Sequence, residues 1–298
     1  MNYRFYTCDV FTETRFGGNQ LAVLPQADGL SKQQMQQIAR EFNYSETSFV
    51  FPPKSGHTRH VRIFTPAREI PFAGHPNVGT AFVLATAGQL GKIESSSVTF
   101  EEEAGLVELT ISATDGKVTS CELTAPQELS VGETVPMELV ADAIGVDSND
   151  IVTSTHPPQL ASVGLPFIFV EVRDRSVLER ARINMKGFEA LAATGVMPDV
   201  YFYVRSNDDF NIRARMFAPL DGVPEDPATG SANCTLGGLL AHYNNDADGS
   251  FTFRIAQGVE MGRPSTLIAR AEKKGGVIQT TRIGGASVLV TEGNIHVD

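Results

Sequence analysis

The 298-residue sequence has no long run of apolar residues, because charged, polar or glycine residues interrupt every stretch. A helix that spans a bilayer needs roughly 20 consecutive apolar residues. The first residues, MNYRFYTCDVF, also lack the apolar segment and the small-residue cleavage site of a secretory signal peptide. These absences predict a cytosolic (cytoplasmic) protein without a transmembrane segment.

Cysteine is scarce, and Cys8, Cys121 and Cys234 lie far apart with no CxxC pair among them. They are expected to be buried thiols in a reducing compartment rather than disulfide partners or metal ligands. The motifs GxGxxG after a strand, GxxxxGK[ST], HExxH and GxSxG are also missing. Nucleotide, metal and serine-nucleophile chemistry therefore have no support.

Positively charged residues are few: the sequence has 24 Lys and Arg against 35 Asp and Glu, which gives a formal net charge of −11. Such a surface repels nucleic acids and anionic membranes at long range, so neither is expected as a partner. An anionic substrate then requires a local anion site. The length favours two domains, each with its own core.

Apolar spacing predicts an amphipathic helix over residues 30–43, with Ser31 as its N-cap. Two further segments, NVGTAFVLATAG after Pro76 and PATGSANCTLGGLLAHY, carry little charge on any face and predict buried helices. Short β-rich segments surround the amphipathic helix. Each half is therefore expected to wrap strands around a central helix.

An internal repeat supports this division. The pattern R-x-F-x-P occurs at residues 62–66 and again at residues 215–219, and each copy leads through a turn to a glycine-rich helix start. Residues 124–136 between the halves are rich in proline, glycine and acidic residues. We place the two domains at residues 1–127 and 128–298, with a return of the last strand to the first half left open.

The two glycine-rich helix starts, GHPNVGTA and DPATGSA, are candidates for anion binding. A helix N-terminus exposes unpaired N–H groups and a partial positive charge, so it binds a carboxylate without a lysine. His75 lies at the first start, where the dipole is expected to keep its imidazole neutral, and Asp226 takes the matching place in the second. A tight turn with a structural histidine and a helix-capping aspartate is the alternative interpretation.

Glu46, in the segment NYSETSFVF, enters a predicted strand with apolar neighbours. Poor solvation disfavours an ionised carboxyl and raises its pKa toward neutrality, which suits a group that takes and returns a proton. A lone glutamate is more often a solvated surface residue, and composition alone favours that alternative.

Five segments together resemble the PhzF-like phenazine-biosynthesis family: FGGNQLAV, AREFNYSETSFVF, RIFTPAREIPFAGHPNVGTA, RMFAPLDGVPEDPATGSA and QGVEMGRPS. The resemblance spans nearly the whole chain. It implies the diaminopimelate-epimerase-like α/β (α+β) fold, in which two pseudo-symmetric domains each wrap a curved, mostly antiparallel sheet around a central helix. It also implies an active site between the domains and a homodimer.

The resemblance further implies a cofactor-independent isomerase in which Glu46 carries a proton between substrate carbons, with His75 and Asp226 as the other catalytic residues. Gly74, Gly230 and Ser231 match substrate-contacting positions, and Asn19 and Thr229 complete the predicted substrate-binding set. Two alternatives stay open. One is a racemase or epimerase of an amino or hydroxy acid that acts at a single carbon, and the other is a protein that binds a small carboxylate without turnover.

Overall fold

The structure is a computed structural model that describes residues 1–91 and 95–298. The chain divides into two compact units. Residues 1–126 and 284–298 form the first unit, and residues 127–283 form the second. The last fifteen residues therefore complete the first unit.

Strands are the main regular secondary structure of the first unit. Its elements, in chain order, are β1 (Asn2–Val10), β2 (Asn19–Leu24), α1 (Lys32–Phe42), β3 (Glu46–Phe51), β4 (Arg59–Phe64), β5 (Glu69–Ile70), α2 (Gly74–Thr86), β6 (Ser95–Glu102), β7 (Gly105–Thr114), β8 (Lys117–Thr124) and, at the end of the chain, β19 (Ser287–His296).

Pairing in this unit is mixed but mostly antiparallel. β19 pairs with β1, β1 with β2, β3 with β4, β6 with β7 and β7 with β8, all antiparallel. The pairs β2–β3 and β4–β6 are parallel, and each is connected through a helix. A parallel pair needs such a crossover because a tight turn can join only antiparallel strands.

Helix α1 follows the local signals of the sequence. Ser31 accepts a hydrogen bond from the backbone of Gln34 while the Gln34 side chain accepts from the backbone N–H of Ser31, which completes a capping box. Asn43 ends the helix in the left-handed conformation, and Met35 and Ile38 on the apolar stripe pack into the core beneath it. The predicted amphipathic helix is confirmed.

Helix α2 is the central helix of the first unit. Every residue from Gly74 to Leu84 is buried, and strands β1, β2, β3, β7 and β8 contact it. An uncharged helix of this kind can be stable only when strands surround it. The helix begins two residues before Pro76, so His75 lies in its first turn.

The second unit has the same plan with more helices. Its elements are β9 (Ser130–Thr134), α3 (Met137–Ile144), β10 (Ile151–Val152), β11 (Gln159–Ser162), β12 (Pro166–Val172), α4 (Arg175–Arg180), α5 (Met185–Ala192), β13 (Val200–Arg205), β14 (Ile212–Ala218), β15 (Val223–Glu225), α6 (Gly230–Tyr243), β16 (Gly249–Gln257), β17 (Ser265–Lys274) and β18 (Val277–Gly285), whose last two residues belong to the first unit.

The order of pairing in the second unit repeats that of the first. β12–β13 and β14–β16 are parallel, like β2–β3 and β4–β6, whereas β13–β14 and β16–β17 are antiparallel. Helix α6 takes the central place, with all but Ser231 buried from Gly230 to Ala241. The predicted fold class, two related halves with a mostly antiparallel sheet around a central helix, is confirmed.

The segment at the domain boundary contains a strand that was not predicted. Within residues 124–136, Ser130–Thr134 form β9, which pairs with β11. All five residues of β9 are exposed, so the strand lacks the apolar alternation that marks a half-buried strand. The strand is instead defined by its backbone hydrogen bonds to β11, which the local sequence does not predict.

Across the described ranges, no helix combines the length and the apolar character that a membrane span requires.

Candidate active site

The repeated R-x-F-x-P motif fixes the approach to each central helix. Arg62 donates two hydrogen bonds to the Glu69 carboxylate, at 2.6 and 2.9 Å, and its guanidinium lies 5.3 Å from the centre of the Phe64 ring. The Arg62 hydrogen bonds hold the pKa of Glu69 down, to about 2. The motif thus joins β4 to the short strand β5, immediately before the turn into α2.

The second copy of the motif makes the same arrangement more deeply buried. Arg215 donates to both Glu225 oxygens, at 2.8 and 2.9 Å, and its guanidinium lies 4.8 Å from the centre of the Phe217 ring. Its Nη1 also donates to the carbonyls of Leu178 and Ala181 at the end of α4. Both copies are therefore structural pairs that position the turns before α2 and α6.

Four residues of the first unit form a chain of polar contacts at the start of α2. The Ser45 hydroxyl donates to Asn19 Oδ1 at 3.2 Å, and Asn19 Nδ2 lies 3.4 Å from His75 Nδ1. His75 Nε2 lies 3.4 Å from Glu46 Oε2. Because Asn19 Nδ2 can only donate, Nδ1 of a neutral His75 is the acceptor and the ring proton lies on Nε2, facing Glu46.

Glu46 is held where water hardly reaches it. Its side chain is 17% exposed and the His75 side chain 6%. Burial raises the pKa of Glu46 to about 7, and the adjacent Ser45 side chain opposes this rise only in part. The group is therefore close to half-protonated at neutral pH, as suits a carboxyl that alternately accepts and donates a proton.

Gly74 and His75 are the first two residues of α2, and the N-cap residue Ala73 has no side chain that could accept from the first turn. The positive end of the helix dipole thus lies beside the Glu46–His75 contact. Asn19, Glu46, Gly74 and His75, all proposed from sequence, are brought together within the first unit. Ser45 belongs to the same chain of contacts but was not proposed.

The four candidates of the second unit lie at the start of α6. Gly230 and Ser231 open the helix after the N-cap Thr229. The Thr229 hydroxyl donates to Asp226 Oδ2 at 2.6 Å, and Asp226 is 8% exposed. This places Asp226, Thr229, Gly230 and Ser231 in one cluster.

The two helix starts are less alike than the repeat suggested. His75 is the second residue of α2, so its helical counterpart is Ser231, whereas Asp226 precedes the first residue of α6 by four positions. Pro227 likewise lies outside the helix that it was expected to open. Asp226 and His75 therefore do not occupy matching positions.

Strand register identifies another carboxyl that the sequence did not suggest. Thr47 pairs with Phe64 and Val200 pairs with Phe217, the two phenylalanines of the repeated motif. The residues before them, Glu46 and Asp199, are therefore equivalent. Burial, and to a lesser degree the Asp221 carboxylate, raises the pKa of Asp199 to about 7. Counting back from the two motifs would have found it.

Metal-type ligands do not converge in the part of the chain that the structure describes. Within residues 1–91 and 95–298, no group of three or more His, Cys, Asp or Glu side chains is arranged to hold a metal ion. The free thiols of Cys8, Cys121 and Cys234 are all buried, as expected.

Comparison with known sequences matches residues 8–293 to the family model PhzC-PhzF, described as phenazine biosynthesis-like protein. An uncharacterised isomerase of Mesorhizobium japonicum is 37% identical, with 99% of each chain covered. The trans-2,3-dihydro-3-hydroxyanthranilate isomerase of Pseudomonas aeruginosa is 33% identical, again with 99% of each chain covered. The similarity therefore runs through both units.

Solved structures agree with this assignment. The PhzF-family phenazine biosynthesis protein of Bacillus anthracis superposes with a TM-score of 0.89 at 26% identity, and all of each chain is covered. A hydroxyproline epimerase of Agrobacterium vitis gives a TM-score of 0.66 at 16% identity, with 99% of this chain and 91% of that chain covered, and shares the fold.

Proposed function

Because the chain belongs to the phenazine biosynthesis-like (PhzC-PhzF) family and is an isomerase, we propose that it moves a proton between carbon atoms of a small carboxylate substrate without a cofactor. Glu46 is the proposed acid and base. The observation that carries the proposal is the buried Glu46 carboxyl, with a pKa of about 7, whose Oε2 lies 3.4 Å from His75 Nε2.

The proposed step balances within the substrate and one side chain. The Glu46 carboxylate takes a proton from a substrate carbon, and the electron pair of the broken C–H bond moves into the conjugated system of the substrate. The resulting Glu46 carboxylic acid returns the proton to another carbon, which leaves the carboxylate as it began. A pKa near the working pH makes both transfers accessible.

His75 supports this cycle as a neutral donor. Its Nε2–H can hydrogen-bond to the Glu46 carboxylate, and the contact from Asn19 to Nδ1 keeps the ring proton on Nε2. An electrically neutral imidazole orients the carboxylate without lowering its basicity as strongly as a cation would. We therefore assign His75 to orientation of Glu46 and of the substrate.

The start of α2 is the proposed site for the substrate carboxylate. The backbone N–H groups of the first turn and the helix dipole favour an anion there, and Gly74 permits close approach. Asp226, Thr229, Gly230 and Ser231 remain predicted participants, with Asp226 as a catalytic residue. The predicted homodimer also remains a proposal, which light scattering tests.

The test uses trans-2,3-dihydro-3-hydroxyanthranilate, the substrate named for the Pseudomonas aeruginosa relative, as its first probe. Wild type incubated in D2O is expected to convert it, and deuterium reaches the receiving carbon in those turnovers in which the Glu46 acid exchanges its proton with solvent before returning it. Glu46→Gln keeps the shape of the side chain but cannot accept a proton, and we expect a loss of roughly 10² to 10⁴ in rate. NMR spectra of the product measure both the rate of conversion and the position of the deuterium.

Glu41→Gln is the matched control, since Glu41 is an exposed glutamate on α1 with the same change in chemistry. It should react at the wild-type rate. Equal exchange by wild type and Glu46→Gln would remove Glu46 from the mechanism. Deuterium at the original carbon with inverted configuration would indicate a single-carbon racemase, and binding of the probe without any exchange would indicate a binding protein.

A further inference from the structure

Asp199, immediately before β13, is a half-buried residue that the proposed reaction does not use. Its backbone carbonyl accepts from the Ile168 N–H at 2.8 Å, so the pairing of β12 with β13 extends to this residue. Across residues 1–91 and 95–298, its carboxyl group makes no hydrogen bond and no ion pair. A carboxyl that is partly withdrawn from water is stabilised by any hydrogen-bond donor that reaches it.

Strand alternation places the Asp199 side chain on the face of β13 that meets α6. Val200 and Phe202 belong to the apolar core that also contains residues of α3, α4 and α5. Tyr201 points the other way, and its hydroxyl donates to Asn233 Oδ1 on α6 at 2.7 Å. Because successive side chains of a strand lie on opposite faces, Asp199 shares the face of Tyr201.

The positions along the two central helices can also be matched. Asn77 and Asn233 are each the fourth residue of their helix, and each donates to the carbonyl of the N-cap residue. His75 and Ser231, two residues earlier, are therefore equivalent. From residue 230 to residue 241, all but Ser231 are buried. A ligand can thus reach α6 at the position that corresponds to His75.

Together, the strand and helix positions place Asp199 at the first turn of α6. Glu46 Oε2, at the strand position equivalent to Asp199, lies 3.4 Å from His75 Nε2. Tyr201 and Asn233, which are in contact in the second unit, lie two residues further along the strand and two further along the helix. The strand therefore meets the helix in the same register in both units.

The side chains that face each other at this point are shorter in the second unit. Aspartate is one methylene shorter than glutamate, and serine is much smaller than histidine. Within the described ranges, the Ser231 hydroxyl makes no hydrogen bond, so it does not meet the Asp199 carboxyl as His75 meets Glu46. The two shorter side chains leave room between them for a hydrogen-bonding group of a ligand.

We propose that Asp199 is a substrate-contacting residue whose carboxylate accepts a hydrogen bond from an amino or hydroxyl group of the substrate. Ser231, a predicted substrate-binding residue, lies on the other side of that group. The inference deepens the proposed isomerase function, because it names a substituent of the small carboxylate substrate. It rests on that function for its kinetic consequence.

The electrostatics around Asp199 favour a donor group rather than an anion. Burial, and to a lesser degree the Asp221 carboxylate, makes the charged form of Asp199 unfavourable and raises its pKa. A hydrogen bond from an N–H or O–H group stabilises that charged form. A second carboxylate would be repelled, which agrees with the proposed binding of the substrate carboxylate at the start of α2.

The first test measures binding and needs no turnover. Benzoate is the reference ligand, anthranilate adds an amino group beside the carboxylate, and 3-hydroxybenzoate adds a hydroxyl group. Wild type should bind at least one of the two substituted ligands about ten- to a hundredfold more tightly than benzoate, as expected for a hydrogen bond to a charged group. The ligand that gains affinity identifies the donor. Isothermal titration calorimetry gives the dissociation constants.

Three variants assign the preference to Asp199. Asp199→Ala should lose most of it and keep its affinity for benzoate within about twofold of wild type. Asp199→Asn, which keeps an acceptor oxygen without the charge, should show an intermediate preference. Asp209→Ala is the matched control, because Asp209 is an exposed aspartate of the same unit, and it should behave as wild type. Equal wild-type affinity for the three ligands, no measurable binding of any of them, or a preference that survives in Asp199→Ala would overturn the proposal.

The second test connects Asp199 to turnover of the probe used for the proposed function. Asp199→Ala should raise KM about ten- to a hundredfold and change kcat by less than about threefold, whereas Glu46→Gln lowers kcat. A loss confined to kcat would refute the binding role. If no protein turns over the probe while the ligand preference depends on Asp199 as expected, the proposed function fails and the binding role stands.

Discussion

The two Arg–Glu pairs allow a test of how strongly burial determines the contribution of this motif to the stability of the protein. Arg215 and Arg62 hold equivalent positions and make the same two-pronged contact with a glutamate. The Arg215 side chain is only 6% exposed, against 26% for Arg62. We expect replacement by Met to destabilise the protein much more at Arg215.

The magnitudes follow from what each arginine leaves behind. Arg215→Met leaves the Glu225 carboxylate and two carbonyls at the end of α4 without their donor. Removing one partner of such a buried pair lowers the free energy of unfolding by about 3–5 kcal/mol. In Arg62→Met, Glu69 keeps its ion pair with Lys32, whose Nζ lies 2.8 Å from Glu69 Oε2. The free energy of unfolding should therefore fall by only about 1–2 kcal/mol. The difference, about 2 kcal/mol, corresponds to roughly a thirtyfold change in an equilibrium constant.

Hydrogen exchange followed by mass spectrometry gives this value for each strand separately. Amides of β14 in Arg215→Met should lose about thirtyfold more protection than amides of β4 do in Arg62→Met. Arg215→Lys, which keeps the charge but not the planar fork, should be intermediate. Equal losses at the two sites would refute the reasoning, because burial would then not determine the cost.

Two further predictions concern single residues. The turnover rate should rise with pH through about 7, because the raised pKa of Glu46 keeps this base protonated below that value; a rate that is flat between pH 5.5 and 7.5 would contradict its role as base. Lys273, which donates to the carbonyls of Ala241, His242 and Asn244, closes the end of α6. Lys273→Met should cost about 2 kcal/mol and expose the last turn of α6 to hydrogen exchange, whereas Lys274→Met at the exposed neighbouring position should change neither.

Local signals in the sequence were sufficient for part of the fold. The Ser31 capping box and the stripe containing Met35 identify α1, and uninterrupted uncharged residues identify the two central helices. Strand β9 escaped prediction because its residues are exposed and its stability comes from a partner strand. Local composition cannot report a distant partner.

The candidate site likewise contains residues that the sequence identified and features that only the structure shows. Glu46 and His75 lie in recognisable motifs, and the structure brings them within 3.4 Å. Asp226 also lies in a recognisable motif, but it precedes the first residue of α6 by four positions and does not match His75. The short motifs do not encode where each helix begins.

The return of β19 to the first unit determines the order in which the units can be completed during synthesis. β19 pairs along the whole of β1, with Asn2 opposite His296, while residues 127–283 contain the second unit. A ribosome releases the chain from its N-terminus onward, so the second unit has all of its residues before the first. The N-terminal strand must therefore wait, with one edge unpaired, until the last residues emerge. A nascent chain paused after residue 283 would be the state in which that edge is most open to a chaperone or to aggregation.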